Sequence, residues 1–312
     1  MKSNLLLGLS TLVLCSTSYA SDFYVNPNGN GEDCTRHAPC SSIQAAVNLS
    51  SENDTIRIDS GNYHENVTIP RGKNGLTLKG KGSESTTIIS AGGNIPTKFA
   101  PPGIPADIIL DIFSADVTIE GLATLHPAAE VTKRDIGIFV RPPATNVTIK
   151  KNKLQRNRTG NLEPFSPGSR GILVFRASGT KITKNELSGN YEDHLHIPAS
   201  NTLISKNEIE GATRIGIVII QENESSDSTN NIITKNEVEN SGTDGIQIQG
   251  DNNIISKNEL ENNGAAGIRL CGIGDCVAPG TNAIADSNTV IKNEYEDNSA
   301  DLINNGINTI LD

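Results

Sequence analysis

Branched apolar residues recur at two fixed distances from a repeated Lys-Asn pair that begins at Lys151. Ile or Val lies three residues before the asparagine, and Leu, Ile, Val or Tyr lies two residues after it. Regular spacing of this kind predicts two columns of side chains that face one core. The first column is Ile149, Ile182, Ile204, Ile233, Ile255 and Val290, and the second is Leu154, Leu187, Ile209, Val238, Leu260 and Tyr295.

A second strand is predicted upstream of the asparagine, because apolar residues alternate strictly with other residues there. The alternating pairs are Ile138/Val140, Ile172/Val174, Leu195/Ile197, Ile217/Ile219, Ile246/Ile248 and Ile268/Leu270. A period of two indicates half-buried strands rather than helices. Asn185 and Asn207 are 22 residues apart, which is too short for a propeller blade and fits one coil of a parallel β-helix.

In such a coil, each column of the repeat becomes a ladder of neighbours about 4.8 Å apart. The asparagines are therefore predicted to form a stack of side-chain amides that also satisfies bent backbone groups at a turn. Lysine and glutamate columns flank the asparagines. Since the two charges offset each other in nearly every coil, we interpret that face as a solvated scaffold.

The start of the chain carries a family resemblance. The segments 41–47, 54–58 and 61–69 are similar to the helix cap and first coil of the pectin-lyase-like superfamily. Residues 22–312 resemble its right-handed parallel β-helix proteins, and the Asn-rich repeat resembles that of NosD-type periplasmic proteins. The resemblance implies an all-β fold, a single-stranded right-handed parallel β-helix with a short N-terminal capping helix. Because members include lyases, hydrolases, epimerases and adhesins, activity must be argued from a site.

Residues 1–20 are predicted to be a secretory signal peptide, because an apolar run from Leu5 to Leu14 precedes Ser18-Tyr19-Ala20 and is too short to span a membrane. Residues 21–312 then form one β-helix domain in the periplasm or outside the cell. The four remaining cysteines favour two local disulfides over a zinc site. These are Cys34 with Cys40, and Cys271 with Cys276. With 26 basic and 36 acidic residues, nothing indicates nucleic acid or a membrane surface as a partner.

One coil differs from the others in the alternating strand. His194 stands in a column that is otherwise glycine, at Gly137, Gly171, Gly216, Gly245 and Gly267. His196 follows two residues later, so both rings are predicted to project from one outer face about 7 Å apart. The neighbouring glycines are expected to leave room beside His194.

The pair suggests a lyase or C5-epimerase of uronic-acid polymers. Such chemistry needs a base near neutral pH and a cation that neutralises the substrate carboxylate. We expect His194 and His196 as base and acid, with Asp193 orienting an imidazole. Arg141, Arg170, Arg214, Gln247 and Arg269 are the candidate substrate-binding residues. Alginate epimerases of this superfamily carry Asp-Pro-His, from which Asp193-His194-Leu195-His196 departs.

A different class of function is also open. Histidine on an exposed strand is ordinary, and Asp193 beside Arg170 would form a simple salt bridge. The chain would then be a non-catalytic carbohydrate- or surface-binding solenoid, whose outward apolar residues are covered by loops, a sugar ring or a partner. No metal or other cofactor is assigned, and Asp244 and Asp251 suggest calcium only weakly, because aspartate at a turn is usually a turn former. Loops that wall a groove are expected at 91–133, 161–169, 221–230 and 271–281.

Overall fold

The computed structural model describes residues 20–92, 95–96, 105–127, 134–156, 168–189, 191–221, 228–274, 276 and 284–312. Across these residues the chain winds through three parallel sheets, here called A, B and C, and the predicted parallel β-helix is confirmed. Neighbouring strands of each sheet come from successive coils. Each column of the sequence repeat is therefore a ladder in space.

Each sheet runs nearly the full length of the described chain. The strands of sheet A are Asp22–Val25, Thr55–Ile58, Thr77–Gly80, Thr118–Glu120, Thr148–Lys150, Lys181–Thr183, Leu203–Ser205, Ile232–Thr234, Ile254–Ser256, Thr289–Ile291 and Ile310–Leu311. Those of sheet B are Gly61–His64, Thr86–Ile89, Ala123–His126, Lys153–Arg156, Glu186–Gly189, Glu208–Glu210, Glu237–Glu239, Glu259–Glu261 and Glu294–Glu296. Those of sheet C are Val67–Ile69, Pro105–Ile112, Arg134–Val140, Arg170–Val174, Asp193–Ile197, Ile215–Ile219, Ile246–Ile248, Ala266–Leu270 and Ala300–Asn304, with Ile95–Pro96 antiparallel to the second of them.

The region 91–133 was expected to be a long excursion, and this prediction is wrong in part. Besides Ile95–Pro96, it supplies one parallel strand to each sheet: Pro105–Ile112, Thr118–Glu120 and Ala123–His126. Pro105 is the first residue of the longest of these strands, which agrees with proline being tolerated at the start of a strand. Most of the other predicted loops, in 161–169, 221–230 and 271–281, lies outside the described residues.

A single core fills the coil. The predicted inward columns are confirmed, since all but Tyr295 are buried and belong to one apolar cluster against which Tyr295 packs. At the N-terminal end the helix Ile43–Leu49 covers this core with Ile43, Ala46 and Val47. The carboxylate of Glu65 accepts hydrogen bonds from the backbone N–H groups of Ile43 and Gln44, which fixes the start of the helix.

The repeated asparagines form the predicted ladder at the turn between sheets A and B. Asn207 donates from its backbone N and its Nδ2 to Oδ1 of Asn236, at 3.0 and 2.9 Å, and also from Nδ2 to the carbonyl of Ile182. The same pattern links the ladder from Asn152 to Asn293. The preceding lysine has a left-handed backbone, with φ of 58° at Lys206, which turns the chain from one sheet into the next.

Two disulfides staple the coil near its ends, and both were predicted. Cys34 bonds to Cys40, and Cys271 bonds to Cys276. Disulfides of this kind are typical of proteins in oxidising compartments outside the cytosol. The predicted signal peptide lies outside the described residues except for Ala20 and remains a prediction.

Candidate functional site

The candidate site lies on the outer face of sheet C, in the strand Asp193–Ile197. Leu195 and Ile197 turn inward and join the main core. His196 lies between them and therefore faces outward, in register with Leu173 of the preceding coil and Val218 of the next. Its side chain is 7% exposed. His196 is therefore nearly buried, although it lies on the outer face of the sheet.

His196 pairs with Asp193. Nδ1 of the ring lies 2.9 Å from Oδ2 of the carboxylate, a contact that orients the imidazole and places Nε2 on the opposite edge of the ring. Asp193 is fully buried. A buried carboxylate needs compensating partners, and the neighbouring coils supply two of them.

Two arginines hold the Asp193 carboxylate from either side along the coil axis. Arg214, from the next coil, donates from Nε to Oδ1 at 3.0 Å and from Nη2 to Oδ2 at 2.6 Å. Arg170 is in register in the preceding coil and contributes Nε at 3.3 Å from Oδ2. Burial opposes ionisation, but Arg170, Arg214 and His196 together hold the pKa of Asp193 well below its usual range. The carboxylate is therefore ionised at neutral pH.

The predicted position of His194 is wrong. Its ring does not share the outer face with His196 but is fully buried, edge-on to Tyr191 at 5.7 Å between ring centroids. Nε2 lies 2.9 Å from the carbonyl oxygen of Glu210, and Nδ1 has no hydrogen-bond partner among the described residues. Burial lowers the pKa of His194 to about 4. Its enclosure and its lowered pKa argue against His194 as the second acid or base.

The glycine column explains the error. A Cβ atom at Gly171 would lie 2.9 Å from the side chain of Leu187, and one at Gly216 would lie 2.4 Å from Val238. Both contacted residues belong to the main core. This column therefore faces the corner between sheets B and C, and it holds glycine because there is no space for a side chain. Strict alternation of inward and outward side chains therefore fails in this column of the strand.

The remaining predicted substrate-binding residues do not join the cluster around Asp193. Arg141 forms a bidentate pair with Asp111 and stacks on Phe113 and Phe139, at 4.3 and 4.9 Å from their ring centroids. Arg269 pairs with Asp244, at 2.7 and 3.0 Å.

Gln247 is buried, and its Nε2 lies 3.4 Å from Sγ of Cys271. The outward apolar residues are also accounted for, because the chain itself buries them in two clusters. These are Phe139, Leu173 and Phe175 with three neighbours, and Ile215, Val218 and Ile220.

A buried polar cluster beneath the corner between sheets B and C was not predicted. One potential metal-ligand atom from each of Asp107, His126 and Asp135 lies within 4.8 Å of the other two. Arg156 already places Nε 2.8 Å from Asp135, and both nitrogens of His126 contact oxygens, those of the Tyr191 hydroxyl and the Asp107 carbonyl. Since a guanidinium supplies the positive charge there, we assign no metal to this cluster. No local motif marks it, because its members come from different coils.

Comparisons with known proteins agree with this architecture. The sequence profile of the right-handed β-helix region matches residues 109–237 and 137–312. The chain belongs to this right-handed β-helix family. No curated protein matches the β-helix chain at the level of sequence. Within the described residues, no helix is both long enough and apolar enough to cross a membrane.

Solved structures of the pectin-lyase-like fold are similar to this β-helix at low identity. A lacto-N-biosidase from Eubacterium ramulus superposes with a TM-score of 0.64 at 12% identity, over 88% of this chain and 56% of its own. An alginate lyase from Paenibacillus sp. gives 0.53 at 13% identity, over 93% and 99%. A pectin methylesterase from carrot gives 0.50 at 14% identity, over 90% and 84%. The chain thus spans little more than half of the first of these proteins, and the likeness shows the fold alone.

Proposed function

We propose that this exported β-helix protein acts on an acidic polysaccharide, as a lyase or C5-epimerase of uronic-acid polymers. The observation that carries the proposal is the outward-facing His196, paired with a buried, ionised Asp193 between two arginines. This arrangement places an oriented imidazole beside two guanidinium groups, the two kinds of group that proton removal next to a carboxylate requires. Support also comes from the alginate lyase of the same fold.

In this proposal a single imidazole carries the proton. His196 takes the proton from C5 of a uronate, and the electrons of the broken C–H bond move onto the carboxylate as an enediolate, which Arg170 and Arg214 stabilise. For an epimerase, water protonates C5 from the opposite face of the ring and the imidazolium gives its proton to solvent, since return of that proton by His196 would restore the starting sugar. For a lyase, the C4–O4 bond breaks instead, and the imidazolium returns its proton to the leaving oxygen. This one-group route requires the proton and the leaving oxygen to lie on the same side of the sugar ring. It follows from the enclosure of His194, which removes the second ring.

The test uses purified protein with alginate, pectate and glucuronan. Lyase activity appears as ultraviolet absorbance of unsaturated ends, and epimerase activity as exchange of the C5 proton in deuterated water. His196→Ala should lower kcat by about 100-fold or more, the contribution expected of a general base. His64→Ala, at an exposed position on sheet B, is the matched control and should behave as wild type. Turnover that persists in His196→Ala would contradict the assignment.

A second candidate function has its own support. Each of the four proposed arginines contacts a carboxylate of the chain itself, so none offers its full charge to a ligand. This favours a non-catalytic solenoid that binds carbohydrate or a surface. Retained binding of a polymer, without absorbance change or proton exchange for any of the three substrates, would select this function over the lyase or epimerase.

A further inference from the structure

Glu192 contacts the same two guanidinium groups as Asp193, but with fewer hydrogen bonds. Its Oε1 lies 3.0 Å from Nε of Arg214, and its Oε2 lies 3.5 Å from Nη1 of Arg170. The hydrogen bonds from Arg214 nevertheless go to Asp193. Oε2 of Glu192 is buried and accepts no hydrogen bond from any residue that the structure describes. Of the two carboxylates, Glu192 is the less well satisfied.

The two carboxylates also differ in their access to solvent. The side chain of Asp193 is 0% exposed, whereas that of Glu192 is 23% exposed. The backbone of Glu192 is fixed, because its N–H donates to the Ser169 carbonyl and its own carbonyl accepts from Arg214 and Ile215. The Glu192 side chain can therefore turn to solvent while the strand stays in place. Asp193 has no such route.

We propose that Glu192 occupies the position of a substrate carboxylate and is displaced when an acidic sugar binds. The inference rests on the proposed function, since it concerns the same two arginines. In the ligand-free site two guanidinium groups face two carboxylates, so the charges balance. A uronate that replaces Glu192 restores this balance. A neutral sugar cannot replace the charge of Glu192, so the Glu192 carboxylate stays on the arginines and blocks the site. Glu192 is thus a specificity-determining residue that holds the site closed to uncharged ligands.

The proposal predicts that the site of a Glu192→Gln variant has one uncompensated positive charge. Glutamine keeps the shape of the side chain and removes its charge. Without the Glu192 charge, the two guanidinium groups attract a substrate carboxylate more strongly, although solvent screens part of this attraction. We therefore expect E192Q to bind an acidic oligosaccharide about tenfold more tightly than wild type, with a steeper dependence on salt.

The experiment measures equilibrium binding of oligogalacturonate and oligomannuronate of matched length to the full protein by isothermal titration calorimetry. The methyl esters of both oligomers serve as uncharged probes. Glu239→Gln is the matched control, since it removes one negative charge from sheet B, away from the site. The expected result is tighter binding of the acids by E192Q, with unchanged binding by E239Q. The esters should gain much less than the acids.

The outcomes separate the inference from the function on which it rests. If wild type binds the acids and E192Q binds them equally or more weakly, the role of Glu192 is wrong while the proposed function stands. An equal gain in affinity for the acids and the esters would also overturn the role of Glu192, because the effect would then not depend on the charge of the ligand. If neither protein binds or turns over any acidic oligomer, both proposals fail. Acid binding by E192Q alone would support the displacement.

Discussion

The enclosure of His194 has a measurable consequence for stability at low pH. In the folded chain the pKa of this imidazole is lowered from 6.5 to about 4 by burial. The unfolded chain therefore takes up the proton first as the pH falls. The contribution of neutral His194 to stability is complete above about pH 6.5 and is lost progressively as the pH falls to about 4. A difference of about 2.5 pKa units corresponds to about 3 kcal/mol.

The perturbation is His194→Gln, which cannot titrate and retains a donor for the Glu210 carbonyl. At about pH 7 we expect the variant to be less stable than wild type, because it loses the packing against Tyr191. Between about pH 7 and about pH 4 the difference in free energy of unfolding should move by about 3 kcal/mol in favour of the variant. His64→Gln, at an exposed position, controls for the removal of a histidine from the surface.

The assay is urea unfolding at a series of pH values, followed by far-ultraviolet circular dichroism, with wild type and variants compared at each pH. An NMR titration of the imidazole C–H signals reports the ionisation of His194 directly. A stability difference that stays constant with pH would refute the reasoning. So would a His194 signal that titrates near 6.5, since the ring would then be in contact with water.

Two further predictions concern the ladder and the site. Asn207→Ala removes the oxygen that accepts from the backbone N–H and the side-chain amide of Asn185, and the amide that donates to the Ile182 carbonyl and to Oδ1 of Asn236. It should therefore lower the free energy of unfolding by about 4 kcal/mol, with exposed Asn62→Ala near zero in the same denaturation assay. Asp193→Asn removes the charge that orients His196, so kcat on the uronate substrate should fall by about 100-fold, while KM should fall rather than rise because Arg170 and Arg214 lose a competing carboxylate. An equal loss of unfolding free energy in Asn207→Ala and Asn62→Ala would contradict the first expectation. A rise in KM with unchanged kcat in Asp193→Asn would contradict the second.

The fold could be predicted from sequence because each coil repeats the same spacing. Period-two alternation fixes which residues of a strand face the core, and the interval from Asn185 to Asn207 fixes how coils align. The same alignment correctly grouped Arg170 with Asp193, whose atoms are 3.3 Å apart. The alignment of coils predicts contacts correctly wherever the backbone keeps its regular strand geometry.

The alignment failed for His194 because two consecutive residues, His194 and Leu195, both turn away from the outer face. Glycine at the equivalent positions was read as space for a ligand, whereas it reflects a lack of space beside Leu187 and Val238. Sequence alone does not distinguish these causes. The pairing of Asp135 with Arg156 escaped prediction for another reason, because it joins residues of different coils that share no column of the repeat.

The asparagine ladder allows the number of coils to vary independently of the cluster around Asp193. Arg170, Asp193 and Arg214 come from three adjacent coils, while coils beyond Ile219 repeat the same amide contacts without adding to that cluster. Whole units of 22 residues, such as the one from Asn236 to Asn258, can therefore be gained or lost by recombination while every remaining rung still finds a partner. Evolution can lengthen the coil and leave the cluster around Asp193 untouched.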